Sequence, residues 1–333
     1  MPMTEPNIEY FDQRGVLVKL EATPDTDPVL NPANDGVMFY DGSCGTEFDK
    51  KERTPDRPFW GGRPFKVANK RAFIEGTFDL FPPATPGVAG AAGSALCEQI
   101  LLPAGFAVTK TLGTKLTRYN PISRNIPASW SRFYQGAEVL NLQSARHTLS
   151  AVRMAIDEGM SAKARIQGVY DTIPEGVAPS IPTDDTQSIV ATWDNSVAFL
   201  STVDGDVTDL ELRCKSLDWD SGSDLGTTQF TGKRISGHKG RAPTAKCLLL
   251  RPRDADINLH AVRDANRLIT LRFRTYELDT KTGLYSEHGV RMQIDTINRQ
   301  DIEGYYGYEI SGPCIPSSTG GDEVFIAFGD TTP

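Results

Sequence analysis

AVRMAIDEG (151–159) returns as GVRMQIDTI (289–297), the two sharing Val-Arg-Met-x-Ile-Asp at a spacing of 138 residues. In an extended chain Val152, Met154 and Ile156 point one way and Arg153, Ala155 and Asp157 the other. Val290, Met292 and Ile294 against Arg291, Gln293 and Asp295 repeat that split. Each copy therefore reads as a half-buried β-strand.

Two further matches flank the phrase in the same order. GGRPFKVANKRA (61–72) aligns without gaps on TGKRISGHKGRA (231–242) at Gly62/Gly232, Arg63/Lys233, Arg71/Arg241 and Ala72/Ala242. IQGVYDTIP (166–174) faces YYGYEISGPCIP (305–316), where Gly168 and Gly307 each precede an aromatic and acidic run ending in Ile-Pro. The offset falls from 170 to 138 between the first match and the second, so the first half carries about 32 extra residues and a periodic repeat array is excluded. The pattern predicts an internal duplication.

Strand patterns dominate elsewhere. DLELRCKSLDW (209–219) sets Leu210, Leu212 and Cys214 opposite Glu211, Arg213 and Lys215, and LITLRFRTYEL (268–278) sets Ile269, Leu271 and Phe273 opposite Thr270, Arg272 and Arg274. RAFIEGTFDLF (71–81), WSRFYQG (130–136) and AKARIQGVYD (162–171) are strand candidates rich in aromatic and β-branched residues. One helix is expected over 94–106, with Ser94 as its cap and Pro103 and Gly105 as its stop, and a shorter one is expected to start at DANRLI near 264. The proline-, acid- and hydroxyl-rich run 172–188 reads as a linker. The expectation is a mainly β chain of two related sandwich or barrel domains, 1–175 and 189–333, joined by 176–188.

Two polar stretches lack any sustained period: 41–62, ending in Phe59 and Trp60, and its counterpart 218–232. Loops of that length in a compact domain are functional or mobile. Each reads either as a mobile surface loop or as an arm docking on a neighbouring subunit, with the aromatic pair as anchor.

Composition narrows the function. A net charge of -8 argues against a whole-protein attraction to nucleic acid or anionic membrane, and Glu98 and Gln99 interrupt the most apolar stretch, 88–108, so no membrane helix is expected. Five cysteines without a CxxC pair point to a reduced protein assembled in a cytoplasm. DWDSGSD (218–224) and DADIN (254–258) space carboxylates as calcium loops do, but lack the EF-hand glycine and glutamate, and read as solvated turns. The four histidines lack zinc spacing, and neither a nucleophile elbow nor a Walker loop is present. Cys44 in GSCG has no histidine near it in sequence to raise its thiolate fraction. Neither enzymatic chemistry nor a cofactor or metal is expected.

LVKLEATPDTDPVLNPANDGV (17–37), LLPAGFAVT (101–109) and the run YNPISRN through VYDTIP (119–174) together resemble the tail tube proteins (major tail proteins) of long-tailed, non-contractile phages. Arg146 and Tyr170 match that pattern, while Asp25 and His147 stand where it has glycine; beyond 175 the likeness continues through DLELRCKSLDW and GKRISGHKGRAPTAK. The resemblance implies β-domains that form rings, stacked into a hollow tube in the virion tail through which DNA passes without specific binding. Six β-domains make a ring in that family, so a duplicated chain would close as a trimer with pseudo-sixfold symmetry. Its partners would be itself, the tape measure, the tail terminator and the distal tail protein. Asp49, Lys50, Lys51, Arg53, Phe59, Trp60, Asp218, Asp220 and Asp224 would make ring-to-ring contacts, and Asp157 and Asp295 would face the bore, where like charge lets DNA slide. Deleting 47–58 is expected to leave a folded protein that does not polymerise. The competing expectations are a capsid-decorating or tail-completion protein and a carbohydrate-binding β-sandwich, the latter weakened by the dispersal of Trp130, Trp193 and Trp219.

Overall fold

The computed structural model describes residues 14–23, 26–52, 65–83, 85–88, 94–135, 138–172, 189–230 and 233–332. The protein is mainly β, with two antiparallel sheets of eleven and seven strands and a separate two-stranded ribbon. In the first half the strands are β1 (Arg14–Leu20), β2 (Gly36–Val37), β3 (Tyr40–Glu52), β4 (Phe65–Asp79), β5 (Phe106–Thr111), β6 (Leu116–Pro121), β7 (Ser129–Gln135), β8 (Glu138–Ala155) and β9 (Ser161–Thr172). The second half holds β10 (Ser196–Thr202), β11 (Leu210–Leu212), β12 (Cys214–Asp220), β13 (Asp224–Phe230), β14 (Lys233–Gly240) and β15 (Thr244–Leu250). It continues with β16 (Leu268–Tyr276), β17 (Leu284–Gln293), β18 (Thr296–Ile302), β19 (Tyr305–Pro313) and β20 (Val324–Asp330). Short helices α1 (Pro32–Asp35), α2 (Ser94–Leu101) and α3 (Leu259–Asp264) and a single 3-10 turn (Leu112–Thr114) complete the described elements, and no helix among them is long and apolar enough to cross a membrane.

The larger sheet runs β18-β19-β15-β12-β8, where it divides. One branch continues through β7, β1 and β2, the other through β9, β4 and β3. The smaller sheet runs β11-β10-β16-β17-β20-β6-β5. Both sheets thus take strands from both sides of the expected linker, and 176–188 lies outside the described residues. One core joins the halves: Ile74, Leu149 and Met154 cluster with Leu217, Leu271 and Ile326. The Phe106 and Trp219 rings lie 6.1 Å apart, and the Thr275 hydroxyl donates to the Met154 sulfur at 3.1 Å across the two sheets.

The segments 71–81, 162–171 and 268–278 form strands as expected, each with one buried face. Ile74 and Phe78 of β4, Ala162, Ala164 and Ile166 of β9, and Ile269, Leu271 and Phe273 of β16 are all buried. The helix from Ser94 stops before Pro103, and Gly105 takes φ +88° at the turn into β5. The second helix lies one turn earlier than expected. Asn258 caps α3 by accepting from the Ala261 amide at 3.0 Å, so DANRLI closes that helix and leads into β16.

Three expectations are corrected. The stretches 41–62 and 218–232 are not simply loops, since 40–52 is strand β3 paired with β4, and 224–230 pairs with 233–240 as a hairpin. Register shifts at Tyr40/Ser43, Glu47/Asp49 and Asp224/Leu225 insert bulges that erase the two-residue period, which is why these strands read as irregular. DLELRCKSLDW is not one strand, because after Leu212 the chain leaves the smaller sheet and re-enters the larger one at Cys214. Finally, the two copies of Val-Arg-Met-x-Ile-Asp occupy different sheets, β8 in the larger and β17 in the smaller. They share an inward apolar face, Val152 and Met154 against Val290, Met292 and Ile294. Gly168 and Gly307 lie on β9 and β19 but on opposite faces, since Ala164 and Ile166 share the Gly168 face while the buried Tyr308 and Ile310 alternate with Gly307.

A repetition survives in the strand order. Read in one direction across the larger sheet, β3-β4-β9-β8 is followed by β12-β15-β19-β18. In each set the leading strand in that direction, β3 or β12, also comes first in the chain and its neighbour, β4 or β15, second. A helix and a hairpin of the smaller sheet follow (α2, β5 and β6; α3, β16 and β17), and the remaining hairpin closes the set.

Candidate assembly surfaces

The two sets meet where β12 pairs antiparallel with the end of β8: Ser216 faces Ala155, Leu217 faces Met154, Asp218 faces Arg153 and Trp219 faces Val152. The repeated phrase therefore forms half of the seam. Val152, Met154, Leu217 and Trp219 fill the core below it, and on the outer face the Arg153 guanidinium stands 3.4 Å from Asp218 and 3.3 Å from Glu158. Burial pushes the Asp218 carboxyl above its ordinary pKa, against the opposing pull of Arg153 and Lys246.

On that outer face the charges run as a ladder across strands. Glu47 on β3 accepts from Arg71 on β4 and Arg165 on β9, both at 2.7 Å; Lys163 reaches Glu75 at 2.7 Å, and Arg165 lies over the Phe73 ring at 4.2 Å. The Arg71 hydrogen bond, with help from Arg165, holds the Glu47 carboxyl below its usual pKa against a desolvation cost. The second set repeats the scheme with fewer members: Lys246 on β15 sits beside Asp218 of β12 in register and 2.8 Å from Glu309 of β19.

The residues singled out from sequence fall into three places. Asp218, Asp220 and Asp295 line one open hollow of about 480 Å3, shared with Ala151, Lys246 and Pro313, so acids assigned to ring contacts and to the bore share one surface. Asp224 opens β13 and stands 3.7 Å from Lys239 on β14. Asp157 lies apart, exposed in the turn after β8 with φ +70°, its amide donating to Ala191. Asp49, Lys50 and Lys51 pair along the backbone with Ala68, Val67 and Lys66, while Arg53, Phe59 and Trp60 lie outside the described residues.

The hairpin β13–β14 packs beside β4, β8 and β9 of the same chain. At its base the His238 Nε2 donates to the Pro103 carbonyl at 3.0 Å, and the half-buried Arg241 pairs with Glu323 at 2.5 Å while donating to the carbonyls of Gly105 and Ile122. Arg71 and Arg241, aligned by sequence, thus do different work: one in a surface ladder, the other in a partly buried anchor.

Among the described residues no group of three or more His, Cys, Asp or Glu is placed to hold a metal ion. In the Asp-rich turn Asp220 instead accepts from the Gly222 amide at 2.7 Å. A serine and a histidine do meet, Ser129 Oγ and His147 Nε2 at 2.7 Å, but both are fully buried and the His147 Nδ1 donates to the Ile100 carbonyl at 3.0 Å. Desolvation brings the His147 pKa down to about 3, so the ring serves as a neutral tie between α2 and the sheet. Trp130 and Trp219 are core residues and Trp193 is exposed, so these three form no aromatic row.

No family model matches the chain, and a search of the curated proteins finds no relative. The seam and the outer strand β18 were the parts missed in sequence. Their one visible signal was the repeated phrase, half of which lies in the seam.

Proposed function

We propose that this protein is a structural subunit that closes edge to edge into rings, which stack into the hollow tail tube of a long-tailed phage. The observation that carries the reading is the repeated strand order. Inside one chain, the leading strand of the second set, β12, pairs with the trailing strand of the first, β8. Among the described strands, the members that would repeat this junction between copies, β3 and β18, stand at the two far ends of the array. Pairing β3 of one copy with β18 of the next continues the sheet head to tail, an arrangement that closes into a ring. Three chains then supply the six units that the tail tube resemblance calls for. The tape measure, tail terminator and distal tail protein are the partners that follow from that role, and the virion tail is the location.

The proposed lumen is the outer face of the larger sheet, which carries paired acids and bases. Across its ladders Arg71, Arg153, Lys163, Arg165 and Lys246 are balanced by Glu47, Glu75, Glu158, Asp218 and Glu309, so these ladders present no net basic wall to trap DNA.

The cleanest test lies at β18. Its hairpin with β19 turns through Glu303 and Gly304, both at positive φ, so Ile302 and Tyr305 are a hydrogen-bonded pair. By alternation the amides of Ile297, Arg299 and Asp301 point away from β19. Arg299→Pro therefore removes an outward donor and leaves the internal ladder intact. Wild type is expected to give rings and tubes by electron microscopy, and Arg299→Pro a folded monomer with an unchanged circular dichroism spectrum. A wild-type protein that stays monomeric at high concentration would sink the reading. Deleting 47–58 is a poorer test, since it would remove the β3 ladder from Glu47 to Glu52.

A further inference from the structure

We propose that Cys214 and Cys247 are a redox modification site, a thiol pair placed to close into a disulfide that staples β12 to β15. The five cysteines show no pairing in sequence, yet these two sulfurs lie 3.3 Å apart on adjacent antiparallel strands. Closure to a bond of about 2.0 Å requires a movement of about 1.3 Å. The means is at hand: the register shifts between Cys214 and Ser216, and this bulge lets Cys214 move without disturbing the pairs from Ser216 to Asp220.

The two thiols have different roles. Cys214 is half-buried and lies just after the crossing between sheets, so a small reagent reaches it first. Cys247 is buried, and its neighbour Cys214 together with burial pushes its thiol well above the ordinary pKa. With a small disulfide such as oxidised glutathione as oxidant, the Cys214 thiolate attacks one sulfur and releases a glutathione thiolate. Cys247 then attacks the Cys214 sulfur of the mixed disulfide, its proton going to the second departing glutathione. Two protein thiols are oxidised and one glutathione disulfide is reduced to two thiols.

The link would enclose β13 and β14, whose hairpin packs on the first half, and would fix β12, the strand on which the halves join. It ties down the base of that hairpin whether or not the protein forms rings, so failure of one idea leaves the other standing.

The full-length folded protein is incubated with oxidised glutathione, alkylated, and analysed by intact mass and peptide mapping. Before alkylation the expected product is about 2 Da lighter than the reduced chain, and after it the product carries two fewer alkyl groups than the alkylated reduced chain, with one cross-linked peptide pair joining Cys214 to Cys247; it melts a few degrees higher. Cys247→Ser should instead hold one glutathionyl group on Cys214, Cys214→Ser should remain unmodified at Cys247, and Cys44→Ser should react as wild type. A persistent mixed disulfide on wild-type Cys214, a bond involving Cys44, Cys97 or Cys314, or no reaction in the folded protein would each overturn the assignment.

Discussion

The set β8-β9-β4-β3 and the set β18-β19-β15-β12 follow one plan but meet different surroundings. In the first, β8 runs from Glu138 to Ala155, long enough to take β7 at one end and β12 at the other on the same side. In the second, β18 is a seven-residue strand that pairs only with β19 among the described strands. One junction is thus completed within the molecule, while its counterpart is left at the margin. The lesson is that topology preserves a repeat that side chains no longer spell. The letters Val-Arg-Met-x-Ile-Asp record a shared need for an apolar face and a polar face, not a shared place.

The harshest way to break the comparison is to damage the completed junction. Trp219 of β12 is 2% exposed and packs against Phe106 from the other half. Trp219→Ala should cost about 3–5 kcal/mol, measured by denaturant unfolding, because it opens a large cavity beneath the seam. A loss under about 1 kcal/mol would mean that the halves are held together elsewhere.

Two buried histidines sharpen the contrast further. His147 in the first half is satisfied on both nitrogens, whereas His288 of β17 has no hydrogen-bond partner on either among the described residues. Desolvation lowers both to about 3. The unfolded chain therefore binds protons that the folded one refuses, so stability is full above the ordinary histidine pKa and falls as pH drops from about 6.5 toward 3. Each histidine should cost about 2 kcal/mol by pH 5. His288→Leu should remove its share of the acid lability with little loss at neutral pH, while His147→Leu leaves the Ile100 carbonyl without its ring donor and should cost about 1–3 kcal/mol at neutral pH, a loss that its own relieved acid lability offsets near pH 5. Urea titrations at pH 7.5 and pH 5 separate the two outcomes.

Much of the fold was legible where strands run straight. β4, β9 and β16 alternate cleanly because one face is core and the other water. The segments that deceived were bulged or crossing: β3 and β13 lose their period at register shifts, and Arg213 carries the chain between sheets without any proline or glycine to mark the step. The seam and the Cys214–Cys247 pair depend on contacts between distant residues, which periodicity cannot report. Asp218, Asp220 and Asp295 were noticed as acids, but their meeting around one hollow follows from sheet register alone.

A third test concerns the turn from β12 into the hairpin. Gly222 takes φ +55°, and an added Cβ would stand 2.1 Å from the Ala242 carbonyl oxygen. Gly222→Ala should destabilise by about 1–3 kcal/mol and loosen β13–β14 first, seen as faster amide exchange there than in β15. Uniform exchange across both regions would show that the hairpin is no separate unit.

The smallest effects lie in the charge ladders, and there the two sets should respond to pH with opposite signs. Glu47 on β3 is held below its ordinary pKa by Arg71 and Arg165, so its contribution is present at neutral pH and is lost as pH falls through the carboxylate range. Asp218 on β12 is raised by burial, so its ionised form weighs on the fold at neutral pH and the burden lifts on acidification. Both acids and their arginines are partly exposed, which keeps each effect under about 1 kcal/mol. Glu47→Gln should therefore destabilise at pH 7 and become neutral near pH 4, whereas Asp218→Asn should be neutral or stabilising at pH 7. Arg153→Ala should cost more at pH 7 than at pH 4, because it leaves the Asp218 charge without its nearest cation. If Glu47→Gln and Asp218→Asn follow the same pH trend, β3 and β12 are not electrostatic counterparts and the likeness between the sets stops at strand order.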